Sequence, residues 1–278
     1  MTSDNLLALK GITKEYKEFR LGPLDLSVPR GYVMGLVGAN GAGKTTAIKI
    51  ALGAVLPGNG SVHLIDKTRV GVVLDQPCWQ ATWRVRDLSR LLGPFYPGWD
   101  QRVFDELCEW AGVSQRLKVR EFSRGMGMKV QVAVALAHRA ELLVLDEPTS
   151  GLDPLARGEL LDKLSEFMTD ERHSVLFSTH ITTDLDRIAD LVTILDAGRV
   201  IASGARDDLL EAWAMVRGGA ADLTGELRAR IRGLRQHSAG WEGLIAAADL
   251  GLCGTGVVAD APSVEDLLVH LTKERKDA

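Results

Sequence analysis

Apolar and polar positions along this chain fall into two regimes. In one, apolar residues run together and stop at a glycine, an acid or a hydroxyl residue: YVMGLV at 32–37, VGVVLD at 70–75, LLVL at 142–145 and VLFST at 175–179. Such runs fit strands buried on both faces, as in the middle of a parallel sheet. In the other regime apolar residues recur every three or four positions, as in TTAIKIAL at 45–52 and MKVQVAVALAH at 128–138, which is the period of a helix. The two regimes alternate over about 1–75 and 141–210, which predicts an α/β core with a mainly parallel central sheet and an antiparallel edge. Between them, about 76–140 predicts a helical subdomain. The first unit is thus expected to span 1–212.

After Ala212 the pattern changes. RGGAADLTGELRARIRGLRQHSAGWEGL carries no site motif, while VVADAPSVEDLLVHLTKE reads as a strand, a loop capped at Ser263 and a terminal amphipathic helix. A small α+β appendage over 213–278 is expected. Its arginines Arg228, Arg230, Arg232 and Arg235 read either as a phosphate or lipid-headgroup patch or, more simply, as a solvated, ion-paired face.

Composition narrows the class. With 46% hydrophobic and 25% charged residues the 278-residue chain is an ordinary globular protein. Its net charge of -4 offers no clustered basic excess, so no nucleic-acid partner is expected. Cys78, Cys108 and Cys253 are odd in number and without metal-ligand spacing, which fits a reduced compartment and no disulfide. The opening MTSDNLLALKG has an acid where a secretory signal would be basic. The longest uncharged run, Ile50 to Ile65, is broken by PGNG and cannot cross a bilayer.

The strongest chemical signal follows the first buried strand. Gly38-Ala39-Asn40-Gly41-Ala42-Gly43-Lys44-Thr45 fits GxxxxGK[ST], and a helix begins there. Glycines let backbone N–H groups of Gly41, Ala42 and Gly43 curl around phosphates, with Asn40 and Thr46 flanking; the helix N-terminus adds its positive dipole end. Lys44 then reaches the β and γ phosphates of a nucleotide, and the Thr45 hydroxyl suits magnesium. The second signal is ELLVLDEPTSGLD. Its strand ends in Asp146, placed for a magnesium contact, and Glu147, placed to polarise a water attacking the γ phosphate. Alone, either would read as a Gly-rich turn or an exposed acidic strand end; in series they point to ATP hydrolysis.

Taken in order, GANGAGKTT, LDQ, FSRGMGMKV, LLVLDEPTSGLD and STH resemble the ATP-binding subunit of an ABC transporter, over about Leu6 to Leu210. The resemblance implies a P-loop cassette that pairs head to tail, with itself or a related cassette. It also implies a separate polytopic membrane subunit holding it at the inner face of the cell membrane, with ATP and Mg2+ as cofactors. FSRGM stands where the family has LSGGQ, the signature that closes over the ATP of the opposite chain. Phe122, Arg124 and Met126 depart from that pattern, whereas Ser123 and Gly125, the positions expected at phosphate, are retained. Signatures of this kind resemble those of bacterial antibiotic-resistance and lantibiotic-immunity exporters.

The same resemblance assigns further positions. Gln76 matches the glutamine that senses magnesium and the γ phosphate, Asp153 the aspartate reaching across the dimer, and His180 the switch histidine beside the γ phosphate. Glu147, His180 and Lys44 are therefore the expected catalytic set, and Thr45, Gln76 and Asp146 the expected metal set. Tyr16 matches the aromatic that stacks on adenine, although a Tyr on an edge strand is also ordinary. Seven of the fifteen aromatics fall in 77–113, enough to fill a small core or to line a groove at Trp79 and Trp83 for the membrane subunit. Two rivals stay open: a soluble ABC ATPase acting on ribosomes or DNA, and a regulatory cassette with low turnover.

Overall fold

The computed structural model describes residues 4–273. The chain opens with two long strands, β1 (Asn5–Glu15) and β2 (Arg20–Pro29), followed by β3 (Val33–Val37), α1 (Lys44–Ala51), β4 (Asn59–Leu64) and β5 (Val70–Val73). The helices α2 (Val85–Leu92), α3 (Gln101–Trp110) and α4 (Arg124–Ala137) come next. The chain then returns to the core through β6 (Leu142–Asp146), α5 (Pro154–Phe167), β7 (Ser174–Thr179), α6 (Thr182–Ile188), β8 (Leu191–Asp196), β9 (Arg199–Ala205) and α7 (Arg206–Glu211).

Six strands form the central sheet in the order β5-β6-β7-β3-β8-β9, parallel except for the β8–β9 hairpin at one edge. The unbroken apolar runs have a direct cause here. Leu142 and Val144 of β6 face α1, while Leu143 and Leu145 face α4 and α5, so both faces of the strand are covered. The expected antiparallel edge is split: β9 closes the sheet, and β2-β1-β4 form a separate three-stranded antiparallel sheet. That second sheet lies over the other side of α1, because Ala47, Ile48, Ile50 and Ala51 share one core with Leu7, Leu9, Leu24 and Leu26. A helix buried on two sides holds the P-loop rigidly.

The helices α2, α3 and α4 enclose their own cluster around Val85, Leu88, Phe104 and Val130. Beyond α7, β10 (Trp213–Gly218), α8 (Gly225–Arg230), β11 (Arg232–His237), β12 (Gly240–Ala246), β13 (Val258–Asp260) and α9 (Val264–Lys273) build a four-stranded antiparallel sheet in the order β11-β12-β10-β13. Trp241 fills its small core. The Ser263 hydroxyl accepts the Asp266 N–H at 3.1 Å, and the Asp266 carboxylate accepts the Ser263 N–H at 2.8 Å, a reciprocal cap before α9. This appendage is not loosely tethered. Val264 and Leu267 of α9, with Met215 and Leu244, join the same buried cluster as Leu185 of α6 and Leu164 of α5.

Candidate nucleotide site

The site begins at the end of β3. Gly38 lies so near the backbone that a Cβ there would stand 2.2 Å from the Leu195 carbonyl oxygen. Gly43, at φ +110°, has a conformation side chains rarely adopt. These two glycines let the loop close over the start of α1. Phe19, Asn40, Gly41, Gly43, Lys44, Thr45, Thr46 and Glu147 line a cavity of about 420 Å³ there.

Lys44 is buried and its ammonium donates to the carbonyls of Gly38 at 2.7 Å and Ala39 at 3.3 Å. It also forms an ion pair with Glu147 Oε1 at 2.9 Å. Glu147 reaches this position through an uncommon backbone: its φ is +53°, just after β6 ends and just before Pro148, a residue that disfavours helical geometry at the position preceding it. The Glu147 N–H donates to the Ser178 carbonyl at 3.0 Å, which fixes the turn against β7. Its Oε2 accepts the His180 N–H at 3.3 Å and faces His180 Nδ1 at 2.7 Å. Asp146, buried, accepts the Ser178 hydroxyl at 2.6 Å.

The expected catalytic set is thus brought together within one chain. Asn40, Gly41, Gly43, Thr45 and Thr46 line the same cavity, whereas Gln76, Ser123, Gly125, Asp153 and Tyr16 do not. Gln76 sits exposed after β5, outside the cavity lining. Ser123 caps α4 by accepting the Met126 N–H at 3.2 Å, with Gly125 in the first turn, and neither lines the cavity. Asp153 caps α5, accepting the N–H groups of Ala156 and Leu155 at 3.0 Å each; these bonds, that of Ala156 foremost, hold its carboxyl below the usual carboxylate range. Tyr16 is 47% exposed and lies outside the lining, with Lys14 over its ring at 5.9 Å. Phe19, 6.3 Å from Tyr16 between ring centres, lines the cavity instead. Sequence reasoning passed over Phe19, whose only local signal is its place in the loop between β1 and β2.

The chain also matches known proteins. The ABC transporter family model matches residues 21–150. Nod factor export ATP-binding protein I of Cupriavidus pinatubonensis is 34% identical over 223 residues, covering 74% of this chain and 68% of that protein. This chain belongs to the ABC transporter ATP-binding family. Daunorubicin resistance ATP-binding protein DrrA3 of Streptomyces coeruleorubidus is 32% identical, covering 74% of this chain and 70% of that protein. Bacitracin transport ATP-binding protein BcrA of Enterococcus faecalis is 28% identical, covering 72% and 70%. Among solved structures, an ATP-binding subunit of an ABC transporter superposes with a TM-score of 0.64 at 29% identity, over 73% of this chain and 91% of that one. A dimeric cassette in a post-hydrolysis state with ADP and Pi matches at 0.64 and 22% identity, over 72% and 98%, a likeness of fold.

As an ABC ATPase the chain binds nucleotide and hydrolyses ATP. Among the described residues no helix is long and apolar enough to cross a membrane. Trp79, Trp83, Tyr96, Val72 and His138 line a cavity of about 360 Å³ between the helical segment and the central sheet. In the appendage, Arg230 lies 3.7 Å from Asp249 and Arg235 lies 3.9 Å from Glu242, so these two arginines follow the ion-paired reading.

Proposed function

We propose that this chain is the ATP-hydrolysing subunit of an exporter. It works as a head-to-tail pair, with itself or a related cassette, on a polytopic membrane subunit at the cytoplasmic face of the cell membrane. The export assignment draws support from the Nod factor export, daunorubicin resistance and bacitracin transport relatives. The hydrolytic assignment rests on one observation: a half-buried carboxylate, Glu147, wedged between Lys44 and His180 at the mouth of the P-loop.

That arrangement defines what binding must do. ATP phosphates and Glu147 compete for the Lys44 ammonium, so Lys44 leaves Glu147 for the β and γ phosphates. Glu147 stays anchored to the His180 N–H and is free to take the proton of an attacking water. Thr45, Asp146 and Gln76 offer hydroxyl, carboxylate and amide oxygens, the hard donors that magnesium accepts. Among the described residues no cluster of three or more acids, histidines or cysteines stands ready to hold a metal alone, which fits a cation that arrives with the nucleotide. Magnesium bound with ATP neutralises phosphate charge.

Ser123 and Gly125 sit apart from the chain's own cavity, so their phosphate role belongs to the opposite protomer. Mixing tests this. Lys44→Ala and Ser123→Arg homodimers should each be nearly inactive. A mixed dimer regains one site, in which the intact P-loop of one chain faces the intact signature of the other, and turnover or ATP-dependent pairing should reappear. Full activity of Ser123→Arg alone, or no recovery of either readout on mixing, would sink the composite site. The Trp79–Trp83 groove is the surface proposed for the membrane subunit; unchanged membrane recruitment of the Trp79→Ala/Trp83→Ala variant would count against it.

A further inference from the structure

Arg124 is the first residue of α4, where the family pattern carries glycine. A cation there opposes the positive end of the helix dipole, and the first turn of α4 contains no acid to balance it. The balance comes from outside the helix. Arg124 Nη2 donates to Asp75 Oδ1 at 2.5 Å and Nε donates to the Ser150 carbonyl at 2.5 Å. Asp75 directly precedes Gln76, and Ser150 stands in the turn between Glu147 and Asp153. The fold also leaves space for this side chain: Gly151 has φ +69°, and a Cβ there would stand 2.9 Å from Arg124 Nε. One guanidinium therefore joins the signature turn to two other segments of the nucleotide machinery in the same chain.

We propose that Arg124 is a positioning residue that couples the two nucleotide sites of the dimer. The reasoning rests on the head-to-tail reading above. Gln76 and Glu147 serve the chain's own ATP, whereas Ser123 and Gly125 serve the partner's. Any shift of the Gln76 or Asp153 segment on nucleotide binding is passed through Asp75 and Ser150 to Arg124, and from it to the Ser123 cap. A signature with glycine at this position has no side chain to carry that link. Because the Arg124 and Asp75 side chains are 39% and 49% exposed, the pair is a weak one, and the coupling it carries is about fivefold between the first and second ATP, near the lower end for allosteric systems.

The test uses the full-length chain and ATP turnover over a wide ATP range. Wild type should show a Hill coefficient above unity. Arg124→Ala and Asp75→Ala should each lower it towards unity, with the half-saturating ATP concentration moving by less than about fivefold. The double variant should be no worse than either single one, and the exchanged pair Arg124→Asp with Asp75→Arg should restore part of the cooperativity, which a purely structural role would not predict. If a variant melts early, Asp75→Asn keeps the shape and removes only the charge, and it should behave as Asp75→Ala. A wild-type Hill coefficient of unity, unaltered cooperativity in both single variants, or additive losses in the double would overturn the proposal while leaving the ATPase reading in place. Absence of ATP turnover in the wild type would overturn that reading and this proposal with it.

Discussion

Glu147→Gln removes one negative charge and almost no volume, so its consequences follow from the contacts of one carboxylate. In the nucleotide-free chain Lys44, 5% exposed, loses the anion 2.9 Å away. Breaking a buried pair by deleting one partner costs about 3–5 kcal/mol when the other charge is left with nothing. Here Lys44 keeps the carbonyls of Gly38 and Ala39, and the substituted amide still offers an oxygen, so about 1–2 kcal/mol is the expected loss of stability. At roughly 2–4 °C per kcal/mol for a chain of this size, the melting temperature without nucleotide should fall by about 2–8 °C. The same term reverses its sign in binding. Lys44 no longer has to leave an anion to reach phosphate, so ATP should bind about 5–30-fold more tightly, at tenfold per 1.4 kcal/mol. Turnover should drop by about 10²–10⁴-fold, the usual share of a general base. Melting curves with and without Mg-ATP, together with a phosphate-release assay, read all three quantities. Turnover within tenfold of wild type would remove Glu147 from the catalytic role. Unchanged or weaker ATP binding would show that the Lys44–Glu147 pair does not compete with nucleotide.

Two further outcomes follow from the same structure. Phe19→Ala should weaken ATP binding by about 1–3 kcal/mol, the worth of one ring stacked on a base, and by more than Tyr16→Ala does; equal or reversed effects in a fluorescent-nucleotide titration would return the base platform to Tyr16. His138 is buried, stacked on Tyr96 at 4.1 Å, and burial pushes its pKa down from the ordinary 6.5, so the folded chain takes up a proton less readily than the unfolded one. Its contribution should be intact above pH 6.5 and be lost as pH falls below that value towards the lowered folded pKa, and the melting temperature of His138→Gln should depend less on pH across that window than wild type; parallel slopes would refute it.

The parts of this protein that were legible in its sequence share one property: each is made by neighbouring residues. A phosphate cradle needs consecutive N–H groups, so Gly38 to Thr45 carry it in one stretch. A strand covered on both faces must be apolar throughout, so LLVL and YVMGLV declare themselves as β6 and β3 and place Asp146 and Lys44 at the same end of a parallel sheet. Caps are local too, and Ser263, read as one from the sequence, holds the helix that follows it. What the tertiary structure decided depends on residues far apart in the chain. The Glu147 carboxylate meets Lys44 and His180 only because β6, β3 and β7 lie side by side and Glu147 turns through a positive φ. Phe19 replaces Tyr16 in the cavity lining because the β1–β2 loop folds over Gly43, a placement that no period or spacing encodes. Arg124 reads as a mere departure from a signature until Asp75 and Ser150 are brought to it. The appendage, set apart in sequence by its composition, is joined to the rest through Val264 and Leu267, because the apolar face of α9 is buried against α6 and the core beside it. Local hydrogen bonding and hydrophobic period are properties of a segment; burial of a charge or of a helix face is a property of what packs against it.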